Sequence, residues 1–541
     1  MQLNLPDLIR QHPMLAGAGV VGLSILAASA ARRFVSPRVR GWALRTVREV
    51  ARRRPLAIAA SVALVLLGRL VLLPVFGIPD PTAPDEFSYL LMADTFASGR
   101  LTNSPHPLWP HFETMFVLQQ PTYASVYPVA QGLSLALGIK LFGHPWFGVW
   151  LSTGALCGAI CWMLQGWMPA KWALLGSVIA VLRIGIHSYW MDSYWGGSHA
   201  ALGGALVFGA LPRLRRGVNT RDVIALGLGL CILANSRPYE GLLLFIAGAV
   251  YLKSAQLWSL RFWAPLVLIG GLSSAFFFYY CWRVTGKPWK LPQQAYMEQY
   301  SASTMFVWQS PREPEYRHRD LREAHLALRT EAQEYASLSG AARAIWQRLT
   351  SIGGFFLGPL IVLPLLLFVY PGQRKTRVLL LTVSLVLLGI SFVAYAQIHY
   401  AAPIAALLYA LAMQPLRRLT VSRRRGNRAA VWIVPAIPLI VATYSLLSLV
   451  VTNHEAPENS RAGFERRFLE QGGRHLIFVR YPPGHTAGNE WVYNRADIDR
   501  APIVWARDMG EKNAELLTYY PGRKFLMVTP ASSHGTLRAI R

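Results

Sequence analysis

Residues Leu56-Ala-Ile-Ala-Ala-Ser-Val-Ala-Leu-Val-Leu-Leu-Gly-Arg-Leu-Val-Leu-Leu-Pro-Val-Phe-Gly-Ile78 form a nearly unbroken apolar run. They lead directly into Pro79-Asp-Pro-Thr-Ala-Pro-Asp-Glu-Phe-Ser-Tyr-Leu-Leu-Met-Ala-Asp94. The first stretch has the roughly 20 residues needed to cross about 30 Å of hydrocarbon. The second holds four carboxylates and no cation, in a chain with 54 Lys+Arg against 27 Asp+Glu. Cations that crowd some segments and avoid others are what a bilayer imposes on a sequence.

Composition agrees. Hydrophobic residues make up 53% of the 541 residues and charged residues only 15%, where a water-soluble chain carries about 25% charged. The expected class is therefore an α-helical polytopic membrane protein. The net charge of +27 is not read as a nucleic-acid footprint, because the arginines sit in short loops between apolar spans. Cys157, Cys161, Cys231 and Cys281 lie in or beside apolar segments and have neither a disulfide pattern nor zinc spacing.

Orientation follows from the basic loops. Residues 32–54 carry nine arginines and one acid, Glu49, so they are expected in the cytoplasm, and the run at 56–78 delivers Asp85-Glu86 to the far side. The other basic loops are Arg213–Arg221, Lys253–Arg261, Arg374–Arg377 and Arg417–Arg428. If all are cytoplasmic, an odd number of crossings must separate Asp85 from Arg213. Four apolar stretches lie there, so one does not cross. The segment 125–142, with Pro128, several glycines and Lys140, is expected to lie along the outer surface as an interfacial helix. Spans are then expected at 56–78, 146–167, 171–188, 198–212, 221–235, 240–257, 262–282, 350–371, 377–394, 398–414 and 431–452. A further apolar segment at 14–31 brings the total to about 11–12.

This threading divides the chain into 1–55 (apolar and basic cytoplasmic segment), 56–282 (transmembrane module with the outer loop 79–145), 283–349 (second outer loop), 350–452 (further spans) and 453–541 (outer tail). The stretch Arg317–Tyr335, with Leu321, Leu326, Leu328 and Tyr335 among alternating charges, predicts an amphipathic helix. In the tail, His475–Arg480, Pro502–Trp505 and Lys524–Thr529 read as short buried strands, giving a small α/β C-terminal extracytoplasmic domain.

The same threading brings polar turns together on the outer side. They are Met191-Asp192-Ser-Tyr-Trp-Gly-Gly-Ser-His199, Asn235-Ser-Arg-Pro-Tyr-Glu240 and Gln397-Ile-His-Tyr400. Ionisable groups at membrane depth are costly and mark functional cavities. Asp85, Glu86 and Asp192 are the candidate catalytic residues, as general base or, for Asp85 and Asp192, as ligands of a metal. A helix starting at Pro84 would put Asp85 toward the cavity, with Glu86 its neighbour. Arg237, partnered by Glu240, suits a phosphate. His399 and Tyr400 are candidates for phosphate pairing or proton transfer. Tyr194, Trp195 and His199 belong to an aromatic turn that reads as an interfacial belt, a stacking platform for a sugar ring, or both. Asp192 could equally cap a helix, and Arg237 could snorkel to the interface. His106, His111 and Glu113 form a weaker, non-specific metal set.

The order of a basic segment, one span, an outer loop opening with Asp85-Glu86, an interfacial helix entered by Tyr127-Pro128 and ending at Gly143, and a second outer acid at Asp192 resembles the GT-C class of membrane glycosyltransferases. It is most similar to the protein O-mannosyltransferase and aminoarabinose-transferase relatives (glycosyltransferase families 39 and 83). The resemblance covers residues 56–282, and the span plan extends to 452. It implies a bacterial protein of the inner membrane, active on its periplasmic side. The implied donor is a polyprenyl-phosphate-linked sugar, and the implied acceptor is a glycan, lipid or protein. Asp85 would be the base, with inversion at the anomeric carbon, and Arg237 and His399 would meet the donor phosphate. Members differ in needing a divalent metal (Mg or Mn). The chain departs from the protein O-mannosyltransferases in lacking a long lumenal sensor domain. Two other classes compete: a secondary transporter or lipid flippase, and a noncatalytic scaffold whose tail binds partners.

Overall fold

The computed structural model describes residues 36–252, 259–333, 335, 337–364, 367, 374–423, 430–451, 460–485, 487–530 and 535–539. The expected apolar segment at 14–31 lies outside the described residues, as do parts of the basic loops near 253–258 and 424–428.

The described chain begins with α1 (Pro37–Arg52), whose Ser36 hydroxyl caps the amide of Val39 at 3.3 Å. Arg53 joins it to α2 (Arg54–Phe76), the expected first span. Gly77, at φ +62°, ends that helix. The prolines that follow lead into α3 (Pro84–Ala97), with Pro84 in its first turn. A two-stranded antiparallel ribbon, β1 (Val117–Leu118) and β2 (Ala124–Ser125), returns the loop to Tyr127-Pro128. There α4 (Val129–Phe142) begins. With 14 residues, α4 spans roughly 21 Å, too short to cross a bilayer alone.

Next come α5 (Trp146–Trp167), α6 (Ala170–Ala180) with a wide π turn at Val181–Gly185, α7 (Ser198–Leu214), α8 (Thr220–Ala234), α9 (Pro238–Tyr251) and α10 (Leu260–Thr285). The second expected outer loop contributes α11 (Pro292–Tyr300) and α12 (Arg319–Gln333). Then α13 (Leu338–Leu357), α14 (Arg374–Ser391), a 3-10 segment at Ile398–Ile404, α15 (Ala405–Arg423) and α16 (Ala430–Val451) complete the helical body.

Three described helices, α2, α5 and α10, are long and apolar enough to cross a membrane. α5 has the bounds expected from the sequence and is largely buried. By contrast, α2 and α10 turn Leu64, Leu67, Val71, Val267, Leu268 and Leu272 outward, a surface suited to lipid. Several other helices at the expected spans are shorter, such as α6 with 11 residues and α9 with 14. Two boundaries are corrected. The span expected at 350–371 is met in its first part by a helix that starts at Leu338 and stops at Leu357, before Gly358-Pro359, while 365–366 and 368–371 lie outside the described residues. The one expected at 398–414 opens as a 3-10 turn, because Pro403 removes a backbone donor.

The tail adds α17 (Arg461–Gln471), β3 (His475–Val479), β4 (Ile503–Arg507), α18 (Asn513–Tyr519), β5 (Lys524–Pro530) and β6 (Gly535–Ala539). The sheet order is β4-β3-β5-β6, with the first three parallel and β6 antiparallel to β5. The apolar runs of central β3 and of edge strand β4 are both buried throughout, so this parallel edge is covered on its faces. This unit is not a detached appendage. Its Leu476, Phe478, Tyr493, Val504 and Leu516 share one apolar cluster with Phe87, Leu91, Phe112 and Tyr123 of the first outer loop.

Candidate functional site

The site begins with the first turn of α3. Glu86, the third residue of the helix, folds back and accepts from the amides of Thr82 (2.8 Å) and Ala83 (2.9 Å), and its other oxygen accepts from the amide of Tyr194 (2.8 Å). It therefore caps the helix and ties it to the turn before α7. With Glu86 committed to these amides, its neighbour Asp85 faces a cavity of about 550 Å³. The cavity is bounded by the start of α3, Tyr127-Pro128, Ser236–Glu240, the segment Tyr395–Tyr400, and residues of α11 and α12.

Asp85 accepts a hydrogen bond from the Tyr127 hydroxyl, and the Tyr127 ring stacks on Tyr89 at 4.5 Å. Burial pushes the Asp85 carboxyl up to about 6. The Tyr127 bond and the field of Arg237 oppose that rise without cancelling it. Arg237, the residue before α9, lies with its guanidinium 4.0 Å from the centre of the Tyr400 ring. Glu240, one turn on, interacts with its charge. His399 is buried against Trp195 (5.1 Å between rings) and Tyr400 (5.4 Å). Close helix packing brings that segment in. A Cβ on Gly204 of α7 would sit 1.9 Å from the Pro403 carbonyl oxygen, so only glycine lets α7 press against the turn that carries His399 and Tyr400.

Of the residues expected from the sequence, Asp85, Trp195, Arg237, Glu240, His399 and Tyr400 line one cavity. Glu86, Asp192, Tyr194 and His199 do not. Asp192 is paired with Arg69 of α2 (2.7 Å) and with His187 (2.7 Å), so its charge is used to hold a buried guanidinium. Tyr194 donates to the Pro79 carbonyl at 2.8 Å, and its own carbonyl accepts from Gln131 at 2.7 Å, which places it as a strut between loops. The metal reading fits poorly. Asp85 and Asp192 are engaged in separate places, and among the described residues no three His, Cys, Asp or Glu side chains group to hold an ion. The set His106, His111 and Glu113 is likewise dispersed. His106 meets Tyr520 (3.1 Å) and Asp499 (3.3 Å), whereas Glu113 accepts from Tyr300 (2.8 Å) and pairs with His318 (3.2 Å).

The cavity also contains residues that sequence reasoning missed. Tyr89 and Tyr127 flank Asp85, and Tyr296, His325, Leu328 and Gly488 also line the cavity. His325 bonds the Tyr296 hydroxyl through Nε2 at 3.1 Å, its Nδ1 has no hydrogen-bond partner, and burial pushes it down to about 4, so its imidazole is neutral. The amphipathic pattern at 317–335 foretold a helix. The buried face is set by Leu321, Ala324 and His325, and a histidine in that stripe was the available signal.

No family model and no curated protein matches this chain. Among solved structures it is similar to ArnT from Cupriavidus metallidurans bound to undecaprenyl phosphate, with 12% identity, a TM-score of 0.49, and 87% of this chain and 92% of that one covered. The Archaeoglobus fulgidus oligosaccharyltransferase in complex with zinc and sulfate gives 9% identity and a TM-score of 0.49, covering 88% of this chain and 67% of that one. For the same organism's AglB with an inhibitory peptide and a dolichol-phosphate the values are 10%, 0.43, 88% and 69%. Likenesses this distant do not assign an activity, so the functional reading rests on the cavity.

Proposed function

We propose that this chain is a membrane glycosyltransferase that moves a sugar from a polyprenyl-phosphate donor to an acceptor hydroxyl or amine, with Asp85 as general base. The observation that carries the reading is the meeting, in one largely apolar cavity, of a carboxylate held near 6 and a guanidinium, Arg237, whose field reaches it. A base whose conjugate acid lies near 6 is ionised at neutral pH and matched to accept a proton as a nucleophile attacks. Arg237 is the group to receive a departing phosphate, since a planar fork pairs with its oxygens better than a point charge.

In the proposed step the acceptor oxygen or nitrogen bonds to the anomeric carbon and its proton passes to Asp85. The bond between that carbon and the phosphate oxygen breaks, and its electron pair leaves with the lipid phosphate beside Arg237. Attack and departure on opposite faces give inversion. Positioning and charge stabilisation supply the rate, and no nucleotide cradle is required. Tyr400 orients the guanidinium, with His399 packed against the Tyr400 ring; Trp195 and the tyrosines offer faces to the sugar, and no step passes through a metal. An outer position of the cavity follows from the basic-loop threading, its being periplasmic follows from the resemblance, and both belong to the same proposal.

The experiment is turnover of radiolabelled polyprenyl-phosphate sugars by the purified chain in lipid nanodiscs, wild type beside Asp85→Asn. Donor consumption lost in the variant, with an unchanged thermal midpoint or a higher one, supports the assignment. Absence of consumption by the wild type, together with solute or lipid movement across vesicles, would replace it with the transporter reading.

A further inference from the structure

At the end of α2 remote from Asp85, α1 carries a feature that the catalytic reading does not use. Its sequence, Pro37-Arg-Val-Arg-Gly-Trp-Ala-Leu-Arg-Thr-Val-Arg-Glu-Val-Ala-Arg52, places Arg38, Arg45, Arg48 and Arg52 on one side at three-, four- and seven-residue spacing. Val39, Ala43, Val47 and Val50 recur on the other side. That apolar side is only partly used. Ala51 is buried and packs, with Val50, against Ala57 of α2, Cys161 of α5 and Leu174 of α6. Further toward the start of the helix the same face runs on uncovered, with Val39 and Val47 each 55% exposed and the neighbouring Trp42 63% exposed.

A half-covered apolar stripe backed by arginines calls for an occupant that is apolar in depth and anionic at its surface. The geometry supplies one. α1 is joined to the membrane-spanning α2 by the single residue Arg53, and its packed end is fixed against the ends of three helices. Its exposed stripe therefore lies where α2 enters the bilayer. We infer that α1 is an anionic-lipid-binding helix that lies in the bilayer surface opposite the cavity, with Val39, Trp42 and Val47 among the acyl chains and Arg38, Arg45, Arg48 and Arg52 on phosphate headgroups. Serine-capped at its start and pinned at its end, the helix is formed before lipid arrives. It thereby seats the inner ends of α2, α5 and α6.

The test uses the full chain in nanodiscs, with a single added cysteine carrying a bimane fluorophore at Val39→Cys or, on the arginine side, Arg45→Cys. Background comes from the unsubstituted chain labelled in parallel. In discs containing one-third phosphatidylglycerol, position 39 is expected to be quenched at least threefold more by acyl-chain-brominated lipid than position 45. Aqueous iodide should show the reverse order. Replacing Arg38, Arg48 and Arg52 with Gln should bring the quenching at position 39 down to the value in pure phosphatidylcholine. Equal access of iodide to both positions would overturn the assignment. So would shielding of position 39 without bromolipid quenching, which would mean that protein covers the stripe. Quenching identical in the two lipids, or shielding that appears only on adding a soluble polyanion such as RNA, would also overturn it. None of these readouts depends on sugar transfer, so the inference and the enzymatic proposal fail separately.

Discussion

Asp85 and Glu86 are adjacent in the chain, yet their surroundings ask opposite things of them. Three backbone amides close on Glu86, whereas Asp85 meets one tyrosine hydroxyl and the cavity. Glu86→Gln should therefore act on stability. Its amide can satisfy fewer donors, and leaving buried amides unpaired costs about 1–3 kcal/mol each, readable as a lower thermal midpoint. Asp85→Asn should lower turnover by roughly 10²- to 10⁴-fold, the usual worth of a general base. Its effect on the fold has the opposite sign. A carboxyl raised from its usual range to about 6 stabilises the folded state only while protonated. That contribution is present below the unfolded value and is lost as pH rises through about 6. Asp85→Asn is thus expected to raise the thermal midpoint at pH 8 relative to wild type and to leave it unchanged at pH 4. Turnover by the wild type should fall about tenfold per pH unit below about 6, in a profile measured at saturating donor. The acid pair was visible in the sequence because it stood out from an arginine-rich background. Reading Pro84 as a helix start put Asp85 toward the cavity, but the capping role of Glu86, counted among the catalytic candidates, was not foreseen. That Asp192 is held by Arg69 and His187 was not visible, since 123 residues separate positions 69 and 192 and pairing across that distance has no local signature.

Secondary elements were legible where one apolar pattern ran uninterrupted. α5 was placed to the residue, and α2 and α10 within two or three, because hydrocarbon selects length directly. α13 was not, and the cause is specific. Arg343, Gln347 and Arg348 interrupt its apolar run, but Arg348 donates to the carbonyls of Val393 (2.6 Å) and Ala394 (2.5 Å) after α14, so the helix continues through a charge satisfied by a distant backbone. Packing between elements was also hidden. Gly132 of α4 admits Met92 of α3 so closely that a Cβ would lie 2.3 Å from its sulfur. Gly204 admits backbone instead, which cannot step aside. Gly204→Ala is therefore expected to shift the 3-10 segment at Ile398–Ile404, move His399 and Tyr400 away from Arg237, and lower both the thermal midpoint and donor turnover. Gly270→Ala in α10, where nothing lies within 4 Å of the added carbon, should leave turnover unchanged and stabilise the helix by up to about 1 kcal/mol. Differential scanning fluorimetry and turnover on the pair separate close approach from propensity.

At the scale of the whole molecule, the three outer pieces that the threading left separate converge on one buried cation. Arg507, at the end of β4, is 2% exposed. It donates to the carboxylates of Glu490 in the tail and Asp320 of α12, and to the backbone carbonyl of Glu113 in the first loop. Glu113 in turn holds Tyr300 of α11 and His318. The sequence foretold three of the strands and the burial of β3 and β4, though β5 is only partly buried; it did not foretell this junction, because its members come from four segments spaced over nearly 400 positions. The junction matters for the site because it backs both the cavity wall at His325 and Gly488 and the cluster in which Phe87 of α3 stacks on Tyr493 at 4.5 Å. Removing one partner from a buried charge set strands the others, at a cost of about 3–5 kcal/mol. Arg507→Ala should thus lower the thermal midpoint and open the tail to protease, with cleavage near 485–490 appearing before any cut in the helical body. Arg507→Lys keeps the charge but cannot bridge two carboxylates and a carbonyl as a fork does, so it should fall between. If the tail were an independent module, Arg507→Ala would unfold 460–541 and leave donor turnover by the remaining chain intact. The shared core with α3 predicts instead that turnover falls in parallel with the loss of protease resistance across wild type, Lys and Ala.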